Sequence, residues 1–285
     1  MDAKQLFEYI STEKPIALLA PSFPVDFTYP EIISILESLG CSKVVELTYA
    51  AKLINNKYHE HFKNRPEQAR ICTNCPTIVQ YIKNKHPEHK DKLMPIASPM
   101  IVMSRFLKKE HGTQTKTLFI GPCLAKKIEA KTTGEVDEAI TFQELQAVRE
   151  YVQTQGITTN PNNNSDFDDY YNNYTKIYPL TWGVAETLHA KDILQTNQVI
   201  VCDGIPATEK AIQEIENNPN IKFIDPLSCP GGCIGGPGVI SKETTEEKTK
   251  KIRDYQEKMK QKNTHNAHIG QLSYAEWLDY TNTFI

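Results

Sequence analysis

The chain has 285 residues, 39% hydrophobic and 24% charged, enough to bury a full core in one large domain or two small ones. Its formal net charge of −3 excludes a strong overall pull toward nucleic acid or an anionic membrane surface. The N-terminus MDAKQLFEYISTEKP lacks the apolar segment of a signal peptide, and no run approaches the roughly 18 apolar residues of a membrane span. The chain therefore reads as cytoplasmic, with neither nucleic acid nor membrane as a partner.

In chain order, apolar and β-branched runs appear at PIALLA (15–20), KVVELT (43–48), TLFIG (117–121), QVIVCD (198–203) and IKFID (221–225). Helical patterns lie between them, as in YPEIISILESLG, CPTIVQYIKNKH and TEKAIQEIENN. Strands alternating with helices predict an α/β fold with mostly parallel sheets. The stretch 153–176 is rich in Asn and Asp and reads as a surface insertion or a link between lobes, with a lobe boundary near 150–176. Residues 241–264 carry eight Lys/Arg against five Asp/Glu, and Ile252, Tyr255 and Met259 form a thin apolar stripe. That pattern predicts a solvated helix over the body, within a tail spanning 241–285.

Seven cysteines in a cytoplasmic chain point to thiols, metal ligands or catalysts before disulfides. Four stand out because glycine or proline brackets them: Cys75 in CTNCP, Cys123 in GPCLAKKIEA, and Cys229 with Cys233 in LSCPGGCIGGPG. Each falls at a strand end or a helix start, where open α/β sheets gather ligands and helix N-termini favour thiolates. Four thiolates converging on one crevice match the need of a [4Fe–4S] cluster. The CxxC of Cys72 and Cys75 keeps zinc open as the alternative, although the second pair is CxxxC and Cys123 would be left without a role. Cys41 and Cys202 read as buried small hydrophobes. No histidine adjoins a motif cysteine; His59, His61, His86 and His89 lie in charged segments and read as solvated, and His265 and His268 belong to the tail.

Taken together, CTNCP, GPCLAKKIEA and LSCPGGCIGGPG resemble the three signature segments of the catalytic domain of [FeFe] hydrogenases. LAPS (19–22), ASPM (97–100), VDEAITFQEL (136–145) and YPLTWGVAETL (178–188) extend the likeness in order over roughly residues 15–240. The resemblance implies one domain of two α/β lobes, each with a small mostly parallel sheet flanked by helices, closed on a metal cluster in the crevice. It implies an H-cluster: a [4Fe–4S] cubane on Cys75, Cys123, Cys229 and Cys233, with Cys233 bridging to a two-iron subcluster that carries CO, cyanide and a dithiolate. Lys126 then matches the lysine that binds a cyanide, Glu129 pairs with it across one helical turn, and Pro21 and Ser22 line the pocket. Gly232 and Gly235 bring backbone close to the cluster.

Some positions depart from that pattern. Asn74 stands where efficient members place a proton-relaying cysteine, and its amide does not titrate near neutral pH. ELTYAAKLI (46–54) offers Tyr49, Ala50 and Ala51 where the relay has carboxylates, while Leu227, Gly121 and Met100 replace other pocket residues. Losing a positioned proton carrier costs about 10²–10⁴-fold in rate. The expectation is slow, reversible chemistry on H2 and protons, possible as a hydrogen sensor, with an external electron-transfer or signalling protein and hydrogenase maturation proteins as partners. The alternative is a non-enzymatic protein that keeps only the cubane, with Cys72 a buried thiol or a displaced proton carrier.

Overall fold

The computed structural model describes residues 1–157, 165–168, 170–261 and 275–285. His265 and His268 lie outside them. The chain forms α1 (Ala3–Glu13), β1 (Ile16–Leu19), α2 (Glu31–Leu39), β2 (Lys43–Glu46), α3 (Thr48–Asn64), β3 (Arg70–Ile71), α4 (Pro76–Lys85) and α5 (Pro99–His111). It continues through β4 (Thr117–Gly121), α6 (Ala125–Thr133), β5 (Glu138–Thr141), α7 (Phe142–Thr154), α8 (Gly183–Thr187), α9 (Ala190–Ile193), β6 (Val199–Asp203), α10 (Ile205–Asn217), β7 (Phe223–Leu227) and α11 (Thr245–Gln261).

Two parallel sheets carry the fold. The first has the order β2-β1-β4-β5, with Ile16 opposite Lys43 on one side and Thr117 on the other, and Leu118 opposite Glu138. The second has the order β3-β7-β6, with Phe223 opposite both Arg70 and Val199. Helices cover both faces of the first sheet, so β1 and β4 are buried along their length and read as unbroken apolar runs. The chain passes between the sheets three times, because β3 and α4 join the second sheet before β4 and β5 complete the first; the 150–176 stretch lies on the third passage. The two-residue β3 has no run long enough to register as a strand, and β7 begins two residues later than the IKFID run.

Local signals fix the element ends. Asp2 caps α1 by accepting from the Gln5 backbone N–H at 2.9 Å, and the Gln5 side chain accepts from Asp2 N at 3.0 Å. Thr141 and Glu144 make the same reciprocal cap at the start of α7. Gly40 ends α2 with φ 115°, a left-handed turn in which a Cβ would strike the Ser11 backbone. Among the described residues no helix is long and apolar enough to cross a membrane.

A buried charge cluster ties the tail helix to the first sheet. Glu46 ends β2 and Lys176 lies in the turn at 174–177; both are fully buried and their charges are in contact. Thr48 Oγ1 donates to Glu46 at 2.9 Å, the Tyr255 hydroxyl donates to Glu46 at 3.2 Å, and Lys176 donates to Tyr255 at 3.1 Å. The ammonium also lies 4.6 Å from the Tyr255 ring centroid. Tyr255 is one of the three α11 residues, with Ile252 and Met259, predicted to face inward; all three are buried, and this cluster is what Tyr255 faces. Removing one partner of a buried pair leaves the other charge without compensation, at a cost of about 3–5 kcal/mol. Lys176→Met is thus expected to lower unfolding free energy in urea by that amount, and the double variant with Glu46→Leu to recover most of it.

Candidate metal centre

The four glycine- or proline-bracketed cysteines come from both sheets. Cys75 is the N-cap of α4, with Pro76 in the first turn. Cys123 follows β4 and receives backbone hydrogen bonds from Ala125 and Lys126 at the start of α6. Cys229 and Cys233 lie in the loop after β7, with Cys233 opening a short turn to Gly235. Cys75 donates to Ser228 Oγ at 3.4 Å, and Ser228 lies 3.7 Å from Cys229 Sγ. Cys75, Cys123 and Cys233 line a single cavity of about 90 Å³.

Backbone contacts hold these loops together. Gly238 N donates to Pro122 O at 2.8 Å, and Cys233 N donates to Pro179 O at 2.7 Å. Asp203 accepts from Gly231 N at 2.9 Å and from the Thr181 hydroxyl at 2.6 Å. A Cβ on Gly236 would sit 2.6 Å from Pro122 O. Gly232 and Gly235 do not line the cavity: a Cβ on the first would meet Pro179 O at 2.4 Å, and on the second Pro230 O at 2.1 Å. At Gly232 and Gly235 the missing Cβ lets the loop fold closely on itself and against Pro179.

Electrostatics show the sulfurs acting on one another. Burial pushes the Cys123 thiol up to about 11, and Cys75 adds to it. Burial also raises Cys229, and raises Cys233 well up, with Cys123, Cys75 and Cys229 all contributing. Lys126 opposes the rise at both Cys123 and Cys233. Cys229 does not line the cavity, but its charge acts on Cys233 beside it; thiolates crowded in this way are stable only around a compensating positive centre. Two sulfurs on one zinc, each at about 2.3 Å, lie no more than about 4.6 Å apart. Among the described residues no cysteine belongs to a group of three donor atoms within 4.8 Å of one another. The donor set fits a larger body with cysteines at its corners, as in a four-iron cube. Cys72 does not line the cavity; it is buried, takes a 3.5 Å contact from the Tyr58 hydroxyl, and burial pushes its thiol well up.

The cavity wall is mostly apolar: Ala20, Pro21, Leu47, Ala51, Pro99, Met100, Phe119, Val184 and Leu227 contribute, and among the described residues no carboxylate does. Lys126 is on the wall, 9% exposed, and donates to Glu129 at 2.5 Å; Glu129 itself is 1% exposed. Ser22 is on the wall too, fully buried, with a hydroxyl that has no hydrogen-bond partner. A buried ammonium and a donor without an acceptor, on one wall, suit an anionic occupant.

Residues 13–237 match the family model described as the iron only hydrogenase large subunit, C-terminal domain. The chain belongs to that family. It is 23% identical to iron hydrogenase 1 of Clostridium pasteurianum, over 81% of this chain and 49% of that protein. It is 21% identical to a probable cytosolic Fe-S cluster assembly factor of Caenorhabditis elegans, over 85% of this chain and 65% of that one. The chain thus spans about half to two thirds of the length of these relatives. A solved [FeFe]-hydrogenase variant from Chlamydomonas reinhardtii has the same fold, at a TM-score of 0.69 and 14% identity, covering 99% of this chain and 98% of that one.

Within this iron-only hydrogenase family member, the departures have visible consequences. Asn74 lines the cavity and donates to the Tyr178 hydroxyl at 2.8 Å, an amide–phenol contact that no local pattern predicts. The space beside Gly121 is taken by the Phe119 ring, which a Cβ would meet at 2.4 Å. Ala51 presents a methyl on the wall from α3. Asp225 on β7 is a buried carboxyl whose charge acts on both Tyr178 and Cys72. It is 1% exposed, accepts from Ala185 N at 3.0 Å through one oxygen, and leaves the other without a partner.

Burial pushes the Asp225 carboxyl from 3.8 up to about 7. Its folded pKa exceeds its unfolded one, so the folded state holds the proton longer. Stability from this group is full below about pH 4 and is lost as pH rises to about 7, by on the order of 4 kcal/mol. Asp225→Asn cannot lose a proton. Urea midpoints of the two proteins should therefore shift in favour of the variant between pH 4 and pH 8; parallel profiles would show that Asp225 stays ionised.

Proposed function

We propose that this chain is an iron–sulfur protein of the [FeFe]-hydrogenase type that binds or splits H2 slowly. In this reading Cys75, Cys123, Cys229 and Cys233 hold a [4Fe–4S] cubane, and Cys233 also joins the two-iron subcluster with its CO, cyanide and dithiolate ligands. When bound, that cofactor supplies the redox chemistry that interconverts H2 with two protons and two electrons.

The observation that carries the reading is the pairing, on the wall shared with three of the cysteines, of buried Lys126 with the partnerless hydroxyl of Ser22. Glu129 fixes the ammonium in place from behind, so that Lys126 points a compact donor at an anionic ligand such as cyanide, and Ser22 offers a second. The apolar remainder of the wall excludes water. Neither Asn74 nor the apolar Leu47 and Ala51 exchanges protons, so proton delivery limits the rate, by about 10²–10⁴-fold relative to a site with a positioned carrier. Electrons pass to or from a separate protein, in line with low-rate hydrogen sensing in the cytoplasm. Maturation proteins would supply the two-iron unit.

A second reading, a non-enzymatic protein holding the cubane alone, is favoured by the assembly-factor relatives and by Asn74 at the relay position. Isotope exchange separates the two. Anaerobic protein carrying both iron units should form HD from H2 in D2O at a slow rate above cluster-free protein. Lys126→Met with Glu129→Gln, which removes both buried charges together, should reduce that rate by at least ~10-fold while keeping the cubane iron. HD formation no faster than in cluster-free protein would favour the cubane-only reading.

A further inference from the structure

A second set of metal-ligating side chains lies apart from the cavity and shares none of its lining residues. Helix α4 starts just after Cys75 and ends at Lys85; the chain then turns through His86 to Lys92, alongside α10. Glu209 and Glu216 of α10 are seven residues apart, about two turns, and so share a helix face. His86 Nε2 lies 2.8 Å from Glu209 and its Nδ1 3.4 Å from Glu88; His89 Nε2 lies 2.8 Å from Glu216. The two imidazoles stack with centroids 6.3 Å apart and planes within 18°.

These are not the solvated histidines that their lysine-rich surroundings suggest. His89 is 5% exposed, and its Nδ1 is buried with no hydrogen-bond partner. Donor atoms of Glu88, His89 and Glu216 fall within 4.8 Å of one another, a span that one ion can bridge. The carboxylates outnumber the imidazoles three to two, so protonating both rings still leaves a net negative charge. Among the described residues none of Glu88, Glu209 and Glu216 has a lysine or arginine ion-pair partner. An excess of carboxylate converging on a buried imidazole is a donor set of nitrogen and oxygen, suited to first-row divalent ions and unlike the all-sulfur set of the cavity.

We infer that Glu88, His89 and Glu216 form a binding site for a first-row divalent cation, with His86 orienting Glu88. The ion bridges the His86–Lys92 turn to α10 and so braces the far end of the helix that Cys75 caps. Holding one imidazole against carboxylates from two separate elements, it replaces the direct His89–Glu216 contact with a shared ligand. The inference is independent of what the four cysteines bind.

The test is a titration of Mn2+ into iron–sulfur-loaded protein, reading free Mn2+ by room-temperature paramagnetic resonance, where the cubane is silent. Mn2+ prefers oxygen and nitrogen donors, which keeps it away from the thiolates. One equivalent per chain should be taken up and then displaced by Zn2+. Glu88→Gln and Glu216→Gln, both at exposed side chains, should each weaken uptake by about ten- to a hundred-fold, and His89→Ala should abolish it. No Mn2+ uptake, or uptake undiminished by Glu88→Gln and Glu216→Gln, would overturn the assignment.

Discussion

The centre depends on one close approach: the loop after β7 lies against the Pro122 carbonyl at the end of β4, with Gly238 N donating to it at 2.8 Å. That contact joins the second sheet to the first at their cysteine-bearing ends. It requires glycine on steric grounds alone, since a Cβ on Gly236 or Gly238 would lie 2.6 or 2.9 Å from the same oxygen. Cys123 belongs to one side of the seam and Cys229 and Cys233 to the other. Asp26 secures the loop further along, accepting from Ile240 and Ser241 backbone N–H groups at 2.9 and 2.8 Å.

The cavity follows from the same seam. Chain segments leaving β1, β2, β4 and β7 supply Pro21 and Ser22, Leu47, Pro122 and Cys123, and Cys233, while Cys75 arrives at the head of α4. The result is a mostly apolar pocket whose lining includes three thiols and the buried ammonium of Lys126. Such a space disfavours free ions and favours a large, internally charge-balanced ligand. Glu129 holds Lys126 from outside the lining, and among the described residues no carboxylate lines the pocket to pass protons inward.

Much of this was legible in the chain. The apolar runs marked β1, β2, β4 and β7 because these strands are buried almost throughout and cannot alternate, whereas β6, an edge strand that leaves Val201 exposed, was marked by its β-branched residues alone. The cysteine motifs were readable because glycine and proline around a thiol are costly unless geometry demands them, and the Lys126–Glu129 spacing of one helical turn carried its own contact. What escaped is long-range. Tyr178 and Asn74 are 104 residues apart, as are partners no local pattern connects, and their hydrogen bond exists only once the sheets meet. Phe119 fills the room at Gly121, and Glu46 finds Lys176 across 130 residues. Gly232 and Gly235, read as bringing backbone close to a cluster, also sit against other backbone at Pro179 and Pro230, a closeness set by which segment lies opposite. His89 read as solvated because its neighbours in sequence are lysines; its burial is set by α10.

What separates the proposed hydrogenase-type centre from a cubane alone is a two-iron unit held in this pocket. The decisive experiment is an infrared spectrum of anaerobically reconstituted protein, taken after incubation with a synthetic two-iron precursor bearing CO and cyanide and removal of the excess. With the proposed centre, sharp CO and cyanide bands stay with the protein and shift under H2. Iron and sulfide bound at the cysteines with no such bands retained would contradict it and leave a protein that holds the cubane alone.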